Sequence, residues 1–193
     1  TNAENEVTFI TPTLNRPSLT NAINSIKNQT NQNWKSIIIY DGIESTENFE
    51  NEKIKVLYTN KLGIETDSSR PHNEAGLVRN VGLRSVDTTW TAFLDDDDTI
   101  TPNYVDLLLS KYSQFDLVIF RMYCTKNNAI IPRPNNNQIM FGNVGISFAF
   151  KTPKKPILFP RNHGGEDFEF VKYLIDQGYN YTITDEVCYK VRH

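Results

Sequence analysis

A chain of 193 residues with 38% hydrophobic content can bury one substantial core and reads as a single domain spanning 1–193. The net charge of −3 and pI of about 5.6 leave no basic footprint for nucleic acid, and no apolar run is long enough for a transmembrane segment. The polar, acidic opening carries no secretory signal, and Cys124 and Cys188 lack metal spacing, so they read as buried thiols of a cytoplasmic protein. With Thr1 in place of an initiator Met, the chain also reads as a domain excised from a longer protein.

An apolar run over 7–10 predicts a first strand, closed by the polar turn Thr11-Pro12-Thr13-Leu14-Asn15. Pro17 then opens a helix whose face Leu19, Ala22, Ile23 and Ile26 follows the 3.6-residue period. Residues 34–40 form a second strand that stops at Asp41-Gly42, 55–58 form a third, and 60–71 are irregular. A helix over 73–86 leads into a strand over 90–94, which runs directly into four consecutive aspartates, Asp95 to Asp98. Thr101 is placed to cap a further helix, with Pro102 at its first position and Val105, Leu108, Leu109 and Tyr112 inward. Residues 115–120 read as a strand, the Asn-rich 124–143 as a loop or edge hairpin, and 146–150 as another strand. Gly164-Gly165 precedes a helix with Phe168, Val171, Leu174 and Ile175 inward, ended by Gly178, and 179–193 supply a final strand. Alternating strands and helices predict an α/β domain with a mostly parallel central sheet flanked by helices.

The aspartate run is the strongest chemical signal. In open α/β folds ligands bind at the carboxyl ends of the strands, and a strand that ends in carboxylates puts hard oxygen ligands there. Such a cluster is costly unless a cation neutralises it, and all-oxygen ligation suits Mg²⁺ or Mn²⁺. A charge run on its own is more often a solvated loop. Asp41, at the end of an apolar strand, can accept hydrogen bonds from a ligand, although Asp-Gly is equally a common turn. Arg79 is a natural diphosphate partner or a surface salt bridge. Glu166 and Asp167 open a helix, where acids are routine, yet either could serve as a general base. With three histidines in all, His72, His163 and His193, a multi-histidine zinc site is not expected.

Taken in order, these segments resemble the family 2 glycosyltransferases with a GT-A (Rossmann-like) fold. The matching stretches are Phe9-Ile10-Thr11-Pro12-Thr13-Leu14-Asn15-Arg16-Pro17, Ile37-Ile38-Ile39-Tyr40-Asp41-Gly42, Gly76-Leu77-Val78-Arg79-Asn80, Phe93-Leu94-Asp95-Asp96-Asp97-Asp98 and Gly165-Glu166-Asp167-Phe168. The resemblance implies an inverting, metal-dependent transfer from a nucleotide-sugar donor, UDP-linked, to a glycan or other hydroxyl acceptor. It implies a donor half over about 1–98 and an acceptor half over about 99–193.

Position by position, Thr11, Pro12 and Asp41 would hold the base, and Arg79 would lie near the donor's diphosphate. Asp97 would ligate Mn²⁺ or Mg²⁺, with Asp95 and Asp96 reaching the ribose or a metal-bound water and Asp98 helping to turn the chain. Asp167 matches the catalytic base, Glu166 would shape the acceptor pocket, and His193 in the closing Tyr189-Lys190-Val191-Arg192-His193 would be a further metal ligand. The Gln-x-x-Arg-Trp motif of processive members is absent, which predicts single addition. A sugar-nucleotide pyrophosphorylase is the alternative enzyme, disfavoured because the loop after the first strand has no glycine. A catalytically inactive carbohydrate-binding domain is the other alternative, disfavoured by the presence of both Asp97 and Asp167.

Overall fold

The computed structural model describes residues 5–62, 64–65, 72–73, 75–160 and 165–192. Strand β1 (Val7–Thr13) is followed by helix α1 (Leu19–Lys27), then β2 (Trp34–Asp41) and β3 (Ile54–Thr59). A two-residue ladder pairs β4 (Ile64–Glu65) with β5 (His72–Asn73), ahead of helix α2 (Ala75–Leu83) and strand β6 (Trp90–Phe93). Next come β7 (Thr99–Ile100), helix α3 (Tyr104–Leu109), β8 (Leu117–Cys124), β9 (Ala129–Ile131) and β10 (Phe148–Lys151). Helix α4 (Glu166–Asp176) and the long strand β11 (Tyr181–Val191) close the chain.

Among the described residues, a nine-stranded sheet runs in the order β3-β2-β1-β6-β10-β8-β11-β7, with β9 attached to β8. The block β3-β2-β1-β6 is parallel throughout, and β8 and β11 form a second parallel pair. Antiparallel β10 sits between β6 and β8 and joins the two blocks. Apart from Lys35, every residue of β2 is buried, as expected of an interior parallel strand covered on both faces.

Strand β1 runs three residues further than its apolar stretch predicts, through Pro12 to Thr13. Its pairing with β6 stops at Ile10, whose carbonyl accepts from Leu94 N–H. Pro12 points its missing N–H to that same side two residues on, where β6 no longer runs, so the proline breaks no ladder bond.

Several local readings need correction. Helix α1 begins at Leu19, with Pro17 and Ser18 forming the turn before it, although its buried stripe is the predicted one. Thr101 does not cap α3: its hydroxyl bonds Asn103 Oδ1 at 2.6 Å, and the helix starts at Tyr104. In α4 the core takes Phe170 rather than Phe168, together with Val171 and Leu174. Both phenylalanines fit the helical period; what decides is an aromatic cluster of Phe93, Phe148, Phe150 and Phe159 that encloses Phe170, with the Phe159 ring stacked on it at 4.4 Å. The 124–143 segment does contain an edge hairpin, β9 against β8, and both cysteines are free thiols.

Two contacts of α2 set up the site. Gly82 lets the helix lie on the sheet: a Cβ there would come within 2.9 Å of Ile10 Cγ2 and Ile39 Cδ1. The Asn80 amide donates to the Phe159 carbonyl at 2.9 Å and accepts from its N–H at 2.7 Å, tying the segment before α4 to α2. Gly82→Val would push a branched side chain into Ile10 and Ile39. Its unfolding free energy should fall by about 1–3 kcal/mol, read from the denaturant midpoint at unchanged slope.

Candidate active site

Because β1, β2 and β6 are parallel, their carboxyl ends reach the same edge of the sheet. There Asp95 to Asp98 form a turn closed by Asp98 N–H on the Asp95 carbonyl at 3.1 Å. A turn splays successive side chains, and each acid meets a different partner. Asp95 Oδ1 accepts from Arg79 Nη2 at 2.8 Å. Asp96 is turned back onto β1 and accepts from the Thr13 hydroxyl at 2.8 Å and Leu14 N–H at 3.4 Å. Asp97 lies 3.5 Å from Arg16 Nη1. Asp98, only 2% exposed, accepts from the Tyr189 hydroxyl at 2.7 Å, and the same Tyr189 oxygen accepts from Asp95 N–H at 3.2 Å.

Oxygens of Asp95, Asp97 and Asp98 lie within 4.8 Å of one another, a donor set of hard carboxylates suited to Mg²⁺ or Mn²⁺. Asp98 Oδ1 is buried and, among the described residues, lacks a hydrogen-bond partner of good geometry. Burial pushes the Asp98 carboxyl up to about 8, with Asp95 and Asp97 adding to the shift against the Tyr189 hydrogen bond. The arrangement therefore includes Asp98, read from sequence as a chain-turning residue, and leaves out Asp96, which is spent on β1. His193 lies outside the described residues.

Arg79 occupies the centre of the cluster. Its side chain is 4% exposed, with Nη1 3.8 Å from Asp167 Oδ1 and 3.9 Å from Glu166 Oε1. Its guanidinium carbon sits 5.5 Å from the Phe159 ring centre and 6.0 Å from that of Phe93. Burial opposes its charge, and Asp95, Asp167 and Glu166 outweigh that, so its pKa is raised and it stays a cation. It is thus a tether between two groups of acids rather than a group exposed to a diphosphate. Asp167 feels burial most strongly, then the opposing attraction of Arg79 and the repulsion of Glu166 and Asp95, and its carboxyl is pushed up to about 7. Gly165 starts this helix at φ 74°, a left-handed backbone that suits glycine.

Beside the acids is a cavity of about 450 Å³ whose lining includes Pro12, Thr13, Arg16, Asp41, Val78 and Asp95 to Asp97. Asp41 is 3% exposed and accepts from Leu62 N–H at 2.7 Å. Thr11 is the exception among the predicted base-binding residues: it is fully buried in β1 and is not among the residues lining this cavity. Pro12 and Asp41 do line the space.

A sheet edge carrying a cavity, an all-carboxylate triad and a separate raised carboxyl is the candidate ligand site of this α/β fold. Residues 8–168 match the model of glycosyl transferase family 2, and the chain belongs to that family. It is similar to the teichoic acid poly(glycerol phosphate) polymerase of Staphylococcus epidermidis, 31% identical over 117 residues, covering 60% of this chain and 16% of the relative. It is also similar to an uncharacterised glycosyltransferase of Acanthamoeba polyphaga mimivirus, 31% identical over 149 residues, 65% of this chain and 59% of the relative. The chain thus spans less than two thirds of the relatives it matches. Among solved structures, residues 1–349 of S. aureus TarS in complex with UDP-GlcNAc superpose with a TM-score of 0.74 at 16% identity, covering 97% of this chain and 58% of that one. At such identity the likeness shows the fold, which is the GT-A arrangement. Among the described residues no helix is long and apolar enough to cross a membrane.

Sequence reasoning did not find the contacts of Tyr189 and Asn80 or the grouping of Asp98 with Asp95 and Asp97. The Tyr189–Asp98 and Asn80–Phe159 bonds join residues 91 and 79 positions apart, a separation at which local pattern carries no signal.

Asp98 and Asp167 keep their protons in the folded state up to about 8 and about 7, whereas the unfolded chain releases them near ~4. The unfolded state then binds fewer protons across that interval, so stability falls as pH rises through it. In chelator, the thermal midpoint should decline from pH 5 to pH 8, and Asp98→Asn should flatten the upper part of the decline. Added Mn²⁺ at pH 8 should raise the midpoint of the parent protein more than that of Asp98→Asn.

Proposed function

We propose that the protein is a metal-dependent, inverting glycosyltransferase that moves a sugar from a UDP-linked donor to a hydroxyl acceptor. The observation that carries this reading is the Asp167 carboxyl, pushed up to about 7 and held 3.8 Å from Arg79 at the edge of the acid cluster. A carboxylate titrating near neutrality is matched to taking a proton from a hydroxyl as that hydroxyl attacks. The family membership and the UDP-GlcNAc complex of TarS, a structural neighbour, support the choice of donor. The cavity lined by Pro12, Asp41 and Val78 suits a flat base, with Asp41 offering an acceptor to its N–H groups.

Asp95, Asp97 and Asp98 would hold Mn²⁺ or Mg²⁺, which when bound acts as a Lewis acid on the departing diphosphate. The chain's own residues do the remaining work. Arg79 holds Asp95 on one terminal nitrogen and faces Asp167 with the other, so one side chain ties the metal-binding acids to the base. Burial keeps the Asp167 carboxyl basic enough to accept the acceptor's proton, and Glu166 shapes the acceptor side. Residues 1–98 form the donor half and 99–193 the acceptor half. A cytoplasmic setting fits the two free thiols.

Asp167→Asn should lower kcat about 10²–10⁴-fold while leaving UDP affinity nearly intact. An equal loss of UDP affinity would remove Asp167 from the role of base. The parent's kcat/KM should rise with pH through a single ionisation near 7, set by Asp167, and then level off. Asp97→Ala should abolish the Mn²⁺-dependent part of UDP binding in titration calorimetry; retention of that part would place the metal elsewhere.

A further inference from the structure

We propose that Phe141 is a stacking platform for the acceptor, and that the acceptor it takes is an uncharged pyranoside. Phe141 is 72% exposed, the highest value among the large hydrophobics of the described residues, with Met140 beside it at 50%. An exposed pair of this kind on a loosely held loop would mean little, but this loop is built. The buried Arg121 donates to the carbonyls of Pro132 at 2.7 Å and Arg133 at 2.8 Å and to Asn137 Oδ1 at 2.9 Å. Asn143 closes the tip, its side chain donating to the Gln138 carbonyl at 2.9 Å and its N–H to the Met140 carbonyl at 3.0 Å. Val144 and Ile146 anchor the far side in the core.

The ring is aimed at the first turn of α4. A Cβ on Gly165 would lie 2.5 Å from Phe141 Cε2, and the Phe168 ring meets Phe141 edge-on at 6.0 Å between centroids. These two neighbours flank Asp167 in the chain, so the Phe141 ring packs on the same first turn of α4 that bears the carboxyl the preceding reading makes the base. That contact also accounts for Phe168, which the core does not use.

The chemistry of the loop selects the occupant. Residues 134–146 carry no charged side chain, and amides at Asn135, Asn136, Asn137 and Gln138 accompany the apolar tip. Among the described residues the neighbouring wall is acidic, with Glu166, Asp167 and Asp95 close together around Arg79. An anionic polyol or lipid phosphate would be repelled by that wall, and residues 134–146 offer it no cation, Arg133 lying at the base of the loop. A neutral sugar ring fits both features: its C–H face lies on an aromatic ring, and its hydroxyls meet amides.

This inference rests on Asp167 being the base, and the test separates the two. Saturation-transfer NMR with a set of methyl pyranosides would be run on the parent, Phe141→Ala and Phe141→Tyr, each with UDP and Mn²⁺, alongside thermal shift by UDP. At least one pyranoside should show saturation concentrated on the C–H protons of one face. Phe141→Ala should weaken that binding about tenfold, as loss of an aromatic stack does, and Phe141→Tyr should keep it. UDP should shift all three proteins equally, since Phe141 does not line the donor cavity. Undiminished saturation in Phe141→Ala, or no pyranoside bound by the parent, overturns the platform. A parent that UDP does not shift overturns the donor reading instead.

Discussion

A single buried cation holds this site together. Arg79 lies between the acids of the turn after β6 and those that open α4, with its hydrogen bond on Asp95 and its other terminal nitrogen facing Glu166 and Asp167. A buried charge without partners is expensive, and so is a cluster of carboxylates without a cation, so each stabilises the other. Breaking such a pair on one side typically costs about 3–5 kcal/mol, because the remaining charge is stranded. The position of Arg79 depends in turn on the helix that bears it. Gly82 allows α2 to settle on Ile10 and Ile39, and Asn80 clips the Phe159 backbone to the same helix. The approach to α4 is therefore fixed against α2, and Asp167 arrives beside Arg79.

The four aspartates show how a uniform sequence acquires unequal roles. A turn sends successive side chains in different directions, and the surroundings then differentiate them. Asp96 bonds Thr13 and fastens the β6 turn to the end of β1. Asp98 is buried against Tyr189, while Asp95 and Asp97 stay partly open. Tyr189 serves both ends of the turn through one oxygen, accepting from Asp95 N–H and donating to Asp98. The carboxylate read as chain-turning is thus the most deeply placed member of the triad.

What could be read in advance follows from the range of each interaction. The stripe Leu19, Ala22, Ile23, Ile26 and the apolar run of β2 are local patterns with a fixed period, and they fold as read. Asp95, Asp97 and Asp167 were singled out through motif order, and the structure brings them to one edge of the sheet. Phe168 and Phe170 both satisfied the helical period, and only the three-dimensional aromatic cluster chose between them. β7 has two residues, too few for alternation to show, and it exists because β11 offers Tyr189 and Lys190 as partners. The insertion of β10 between β6 and β8 is likewise a matter of sheet assembly, which no window of sequence contains.

The two sides of the site are built by different parts of the fold, and this has a consequence for how such a protein can vary. The cavity, the turn acids and Arg79 belong to the parallel block of β1, β2 and β6 with α2, where each residue is fixed by ladder register or buried contacts. The loop carrying Phe141 hangs from Arg121 on β8 and touches the site through Gly165 and Phe168 alone among the contacts described above. A substitution at Phe141 changes no strand pairing and no buried charge, whereas one at Asp96 or Asn80 disturbs the frame itself. Loops of this kind are where binding preference can change at little cost in stability, because the scaffold beneath them carries the folding energy. On the proposed reading, the chemistry of transfer is tied to the core of the fold, and the choice of acceptor to a surface loop held from beneath by the inward-directed Arg121.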